Sequence, residues 1–294
     1  MSLSAIFASR YQRRTFLLLS ILIIAFALAT LWAIYYFLPD IRAWNLIISL
    51  LISVVASAVF ALVSALFISY FFEDPTAAES KAVLLPQDIG PTLQNMANNA
   101  HDYKIYVRTG RHFRSEILPL IAKAARRERR PVNIEVILLD FRDNAICEKY
   151  ANYRRSASFD SKLWSRKYVQ KEVLSTIIAL IQTANENTTF INIELYLSSR
   201  LSTFRIEGSS QEILVTREDP KDIAARYLSS HRNHAAFVTE FTWIRDAALS
   251  TNMGRRHSLP ATLEDLFKDT PTPIIAELKD DAVKALESPS PYAR

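Results

Sequence analysis

Glycine is scarce in this chain: four residues in 294, at Gly90, Gly110, Gly208 and Gly254. Neither a glycine-rich phosphate loop nor a dinucleotide fingerprint can be written from them, which excludes nucleotide binding by those routes. Cysteine occurs once, at Cys147. A single thiol permits no intrachain disulfide and no cysteine zinc cluster, and it suits a reducing cytosol. No repeat of fixed period is present. Charge is also missing, but only locally: two long stretches near the N-terminus carry none.

Those stretches are Thr15–Phe37, TFLLLSILIIAFALATLWAIYYF, and Leu46–Phe72, LIISLLISVVASAVFALVSALFISYFF. Each exceeds the roughly 20 apolar residues that cross a hydrocarbon core about 30 Å thick. Soluble helices of this length keep a polar face, and these have none. Trp32, Tyr35, Tyr36, Trp44 and Tyr70 fall near the ends, as in an aromatic belt. Leu38–Asn45 joins the two, with Pro39 to stop a helix and Asp40 and Arg42 to demand water. The pattern predicts an antiparallel transmembrane hairpin. Arg10, Arg13 and Arg14 precede it, against one Arg42 in the turn, so both termini are expected in the cytoplasm. A cleaved signal peptide is not expected, because the first apolar stretch is too long and no small-residue cleavage site follows it.

Small residues recur every fourth position on the second stretch, at Ser49, Ser53, Ser57, Ala61, Ala65 and Ser69, and on the first at Ala25, Ala29 and Ala33. Such stripes let helices approach closely in lipid. They fit packing within the hairpin, self-association into a homo-oligomer, or a hydroxyl-lined pore. Val55 and Val59 are assigned to the opposite, bulkier side.

The chain beyond divides into a linker at 73–86, an α/β domain at 87–254 and a tail at 255–294, with residues 1–14 as a cytosolic N-terminal tail. The formal charge of +5 is uneven: His101–Lys171 holds 17 Lys and Arg against 8 Asp and Glu. A basic segment of this kind suits an anionic partner, be it nucleic acid, a nucleotide or the inner leaflet, and equally a solvated face. Elements alternate: a helix from Pro91, a strand at Tyr103–Arg108, a helix at His112–Arg127 and a buried strand at Val132–Asp140. Helices over 144–153 and 163–183, a strand at 190–197, a hairpin at 203–216 and a helix at 233–249 follow. The order predicts an α/β fold with a mixed sheet.

Two basic groups stand out. Arg108, Arg111, His112 and Arg114 follow the first strand at a helix N-terminus, where backbone amides favour an anion. Arg126, Arg127, Arg129 and Arg130, taken with Arg154 and Arg155 near Tyr150 and Tyr153, form a second group suited to a nucleic-acid backbone. Glu135, Asp140 and Asp143 are the best carboxylates for a metal, yet Glu135 and Asp140 differ by an odd number and face opposite sides of one strand. His231 and His234 lack a third ligand. No metal or cofactor is expected.

The stretches YKIYVRTGRHFRSEILPLIAKAARRERRPVNIEVILLD, TFRIEGSSQEILVT and AFVTEFTWIRDAA resemble, in the order of their elements, a single phospholipase D-like domain over roughly Asp102–Leu249. The family's attacking histidine has a lysine two residues on. No histidine here does: His101, His112, His231, His234 and His257 all lack it. The resemblance therefore implies a catalytically inactive domain that binds rather than cleaves.

A two-helix membrane hairpin on such a domain is similar to the membrane effectors of bacterial anti-phage systems, the retron-associated type among them. That resemblance implies an inner-membrane toxin held inactive by a reverse transcriptase with its RNA–DNA product (msDNA type) or another nucleoprotein, and released to abort infection. A membrane-tethered phosphodiesterase or nuclease, and a non-toxic membrane scaffold, are the alternatives. A reporter fused at Arg294 should be cytoplasmic and one inserted at Asp40 periplasmic; the opposite pattern would invert the topology.

Overall fold

The computed structural model describes residues 10–37, 42–71, 81–157, 161–217, 222–254, 258–270 and 272–287. The chain forms two compact units, Met1–Glu79 and Ser80–Arg294.

The first unit holds helices α1 (Arg10–Phe37) and α2 (Arg42–Phe71), which pack on each other. Ile24, Ala27, Leu31 and Ile34 of α1 are half-buried, as are Ile48, Leu51, Val55, Ala58 and Leu62 of α2. Alternating steps of three and four residues make this a heptad seam. The remaining apolar side chains point outward, with Phe26 73% and Phe60 74% exposed. Ile47–Ser64 is long and apolar enough to cross a membrane, and Ile24–Ile34 of α1 is a shorter apolar stretch. The rest of the apolar run expected in α1 lies partly outside the residues whose side chains are described.

The seam corrects one expectation. Val55 belongs to it, whereas Ser49, Ser53 and Ser57 lie outside it and are exposed. Ser53 Oγ donates to the Ser49 carbonyl at 3.0 Å, which satisfies the hydroxyl within the helix. Leu and Val fill the inter-helix space better than serine does, so the bulkier stripe forms the pair. The side chains of Ala61, Ala65 and Ser69, and the turn at Pro39 and Asp40, lie outside the described residues.

The second unit is built on a mixed sheet in the order β1-β7-β6-β5-β2-β3-β4-β8. Its strands are β1 (Lys81–Leu84), β2 (Asp102–Tyr106), β3 (Val132–Leu139), β4 (Ile191–Ser198), β5 (Phe204–Gly208), β6 (Glu212–Arg217), β7 (Ala224–Leu228) and β8 (Leu249–Thr251). β2, β3 and β4 are parallel, and the other pairs are antiparallel. Its helices are α3 (Pro86–Asn99), α4 (Leu118–Glu128, entered through a π-helical turn at Phe113–Ile117), α5 (Asn144–Ala157), α6 (Arg166–Glu186), α7 (Arg232–Asp246), α8 (Leu263–Leu266) and α9 (Pro273–Lys284).

The nearly continuous apolar run of β3 suits a parallel strand covered on both faces, and β4 beside it alternates, burying Ile191, Ile193, Leu195 and Leu197. Ile105, Val136 and Leu195 are register partners across three strands and share one core with Phe113, Ile121, Val173 and Ile177. On the opposite face Tyr106, Ile137, Ile206 and Tyr227 meet Phe241 and Ile244 of α7. The mixed α/β sheet is as expected, but β7 and β8 are additional strands, Leu249 of β8 having been read as the end of a helix, and two further segments differ. Lys81–Leu84, read as linker, is an edge strand whose backbone is satisfied by β7. Residues 263–285, read as tail, bury Leu263, Phe267, Ile275, Leu278 and Ala282 in the main core. Short strands of four or five residues give too little alternation to be seen in sequence.

The π turn aims Arg114 inward. Its side chain is 1% exposed and pairs with Glu172, itself 3% exposed, at 2.7 Å. The same guanidinium donates to the carbonyls of Glu172 at 3.1 Å and Ala285 at 3.0 Å, and to Thr176 Oγ1 at 3.2 Å. Arg114 is therefore a structural cation and no part of an anion site. Glu172→Ala strands that charge in the core and should cost about 3–5 kcal/mol of stability, measured by denaturant unfolding.

Candidate anion-binding edge

β2, β3 and β4 end together, and in open α/β sheets this carboxyl edge is where ligands sit. β2 leads to Gly110, whose φ of +71° turns the chain into α4. A Cβ there would come within 2.8 Å of Thr176 Cγ2. Thr176 Oγ1 donates to the Thr109 carbonyl at 2.6 Å, so the turn is fixed from the α6 side. Arg108, Arg111 and His112 are delivered to the edge by this turn.

Arg108 is buried, donates from Nη1 to the Phe204 carbonyl at 2.8 Å, and lies 5.5 Å from the Tyr106 ring centroid. It ties the entry of β5 to the end of β2. Arg111 Nη1 donates to Tyr168 Oη at 3.1 Å. Tyr168 packs edge-on to Trp164 at 5.2 Å, and the Arg154 guanidinium sits 4.5 Å from the Trp164 centroid. An arginine–aromatic chain thus links Arg111 to Arg154, which carries Arg154 out of the second sequence group and into the first. Arg155 pairs with Glu148 at 2.9 Å along its own helix.

Residues unmarked in the sequence complete this edge. Exposed Arg200 follows β4 and pairs with Glu240 at 2.8 Å. Arg205 on β5 is close enough to shift both His112 and Glu207. Burial, helped by Arg205, lowers His112 from 6.5 to about 4, leaving it neutral at pH 7. Glu207 is buried and accepts from Tyr103 Oη at 2.9 Å. Burial pushes Glu207 up to about 7, against the pull of Tyr103 and Arg205. Burial and Glu207 in turn drive the Tyr103 phenol well upward. The signal for this pair was the RIE spacing, which puts Arg205 and Glu207 on the face opposite Ile206.

The chain matches no protein-family model and no curated protein. Among solved structures it is similar to TrmBL2, described as an archaeal chromatin protein that shows a novel mode of DNA binding. That match has 16% identity and a TM-score of 0.36, covering 71% of this chain and 68% of the other. A superposition so loose supports no argument about fold or ligand.

The candidate carboxylates are not brought together. Glu135 lies on the α7 face between Lys104 and Arg245, the latter at 2.7 Å. Burial alone raises its carboxyl, but those two cations outweigh burial and hold it below its usual range. Asp140 takes a two-point bond from Arg142, at 2.7 and 2.9 Å. Asp143 caps α5, accepting from the amides of Ala145 at 2.9 Å and Ile146 at 3.1 Å. His231 caps α7 through Nδ1, which accepts from the Asn233 amide at 3.1 Å. Among the described residues no three His, Cys, Asp or Glu side chains could share a metal. Arg126, Arg127, Arg129 and Arg130 sit at the other end of the sheet, where α4 turns into β3.

The Glu207 shift has a definite sign. Between pH 4.5 and 7 the unfolded chain has lost this proton and the folded one keeps it, so this group makes stability fall as pH rises. His112 acts oppositely between 4 and 6.5. Glu207→Gln keeps an acceptor for Tyr103 and removes the falling slope. Relative to the parent it should gain up to about 3 kcal/mol between pH 5 and 7.5, read from unfolding curves across that range.

Proposed function

We propose that this chain is a membrane-disrupting effector of bacterial anti-phage defence, of the retron-associated two-helix type. The helical pair lies in the inner membrane as a multi-pass hairpin with cytoplasmic termini, and the phospholipase D-like α/β unit is its sensor. The observation that carries this reading is the outer surface of the pair. Leu22, Phe26, Leu50 and Phe60 are each at least 67% exposed, on helices with no charged residue between Thr15 and Phe37 or Leu46 and Phe72. Lipid tolerates such a surface and water does not.

The sensing role is supported by chemistry at the carboxyl edge. Arginines gather there, while Glu135, Asp140 and Asp143 are each engaged in an ion pair or a cap. A polyanionic nucleoprotein, such as a reverse transcriptase with its RNA–DNA product, is the partner that edge suits. Its release then frees the hairpin to associate and depolarise the membrane.

Self-association is assigned to the outward stripe at Ser49, Ser53 and Ser57, because the heptad seam already accounts for pairing within the chain. Expressed without its partner, the full chain should collapse the membrane potential and stop growth. Ser57→Leu with Ala61→Leu should insert normally and lose most of that effect. Unchanged depolarisation by this variant would place the damage elsewhere. Metal-dependent phosphodiester turnover abolished by Asp140→Ala would make the chain a tethered enzyme.

A further inference from the structure

We propose that the amino edge of the sheet, opposite the arginine-rich carboxyl edge, binds the anionic phospholipid surface of the membrane. This rests on the reading of the helical pair as membrane-spanning. α4 ends at this edge with Arg129 as a left-handed cap (φ 50°), and the turn fans Lys123, Arg126, Arg127 and Arg129 into solvent. Arg127 and Arg130 share Glu128, at 2.9 and 3.1 Å. Arg130 also reaches His101 Nε2 at 3.4 Å and the Asn98 carbonyl at 3.3 Å, which fixes the patch against the end of α3. The only acidic side chain within this run is Glu128, so cations dominate it.

Two further features favour a lipid surface over nucleic acid. The first is where the chain enters the unit. Through the strand pairings Lys81, Tyr227, Ile213, Gly208, Lys104 and Glu135 fall in one row, on the amino-terminal half of the parallel strands. The first described residue of the unit, Lys81, therefore lies toward the same edge that carries the basic patch. The second is the adjoining groove, lined among the described residues by polar Asn133, Thr188, Asn192 and Ser258 and by apolar Phe190 and Ile191, with no charged side chain. It offers headgroups hydroxyls and amides without a repelling carboxylate. Stacking on single-stranded bases needs exposed aromatic rings, and the patch residues include none. Each basic residue held at an anionic surface is worth about a fivefold gain in partitioning, within a screening length of about 8 Å.

The full chain should be reconstituted in nanodiscs of phosphatidylcholine with or without phosphatidylglycerol. A fluorophore on Thr188→Cys reports proximity to a quencher lipid. Quenching should rise several-fold with phosphatidylglycerol and fall in high salt. Arg126→Gln, Arg127→Gln and Arg129→Gln together should abolish the lipid dependence. Arg130 stays in place because it bonds Asn98, and an unchanged melting curve verifies the fold. Equal quenching in both discs, or a lipid dependence that survives the triple variant, overturns the proposal while leaving membrane insertion intact. Loss of DNA or RNA binding in the triple variant with unchanged lipid dependence also overturns it. Failure of the chain to enter discs at all removes the membrane reading and this inference with it.

Discussion

The α/β unit depends on one buried ion pair. Arg114 and Glu172 bring together three segments distant in sequence: the π turn before α4, the middle of α6, and the carbonyl of Ala285 after α9. Two charges taken this far from water are tolerable only when nearly every hydrogen-bonding position is met. The guanidinium meets two carbonyls, a hydroxyl and a carboxylate, and the hydroxyl in turn fixes the Gly110 turn. The geometry of the carboxyl edge follows from that anchoring, because Arg108, Arg111 and His112 all sit on the segment it holds.

Much of this architecture was legible beforehand. β3 announces itself by a nearly continuous apolar run, β4 by its alternation, and α6 by its helical spacing of Val169, Val173, Ile177 and Leu180. The hairpin of β5 and β6 shows in its alternation around Gly208. Three short strands did not show, the edges β1 and β8 and the internal β7, since they owe their conformation to a neighbour's backbone more than to their own pattern. The arginines were the least legible part. Arg108, Arg114 and Arg126 look alike in sequence, yet the first clamps a carbonyl, the second is sealed in the core and the third is exposed. Only the register of a helix against its sheet separates such roles, and a single sequence does not contain that register.

The carboxylates divide in a way that bears on chemistry. Glu135, Asp140 and Asp143 are each committed to a cation or a helix end, and Glu207 is kept close to neutrality by burial. General acid–base or metal-assisted catalysis needs such groups to converge on an open site. Here they are dispersed, while cations collect at both ends of the parallel strands. The distribution suits a domain that holds anions by position, with Arg205 tuning both His112 and Glu207 from one strand.

The seating of residues 263–285 in the core has a consequence for synthesis. A ribosome releases α1 and α2 first, and the α/β unit cannot close around Arg114 until Ala285 has emerged some 210 residues later. At about 5–20 residues per second that interval is on the order of tens of seconds. During it the apolar pair exists without its folded companion, so any restraint the companion exerts begins only after Ala285 has been made.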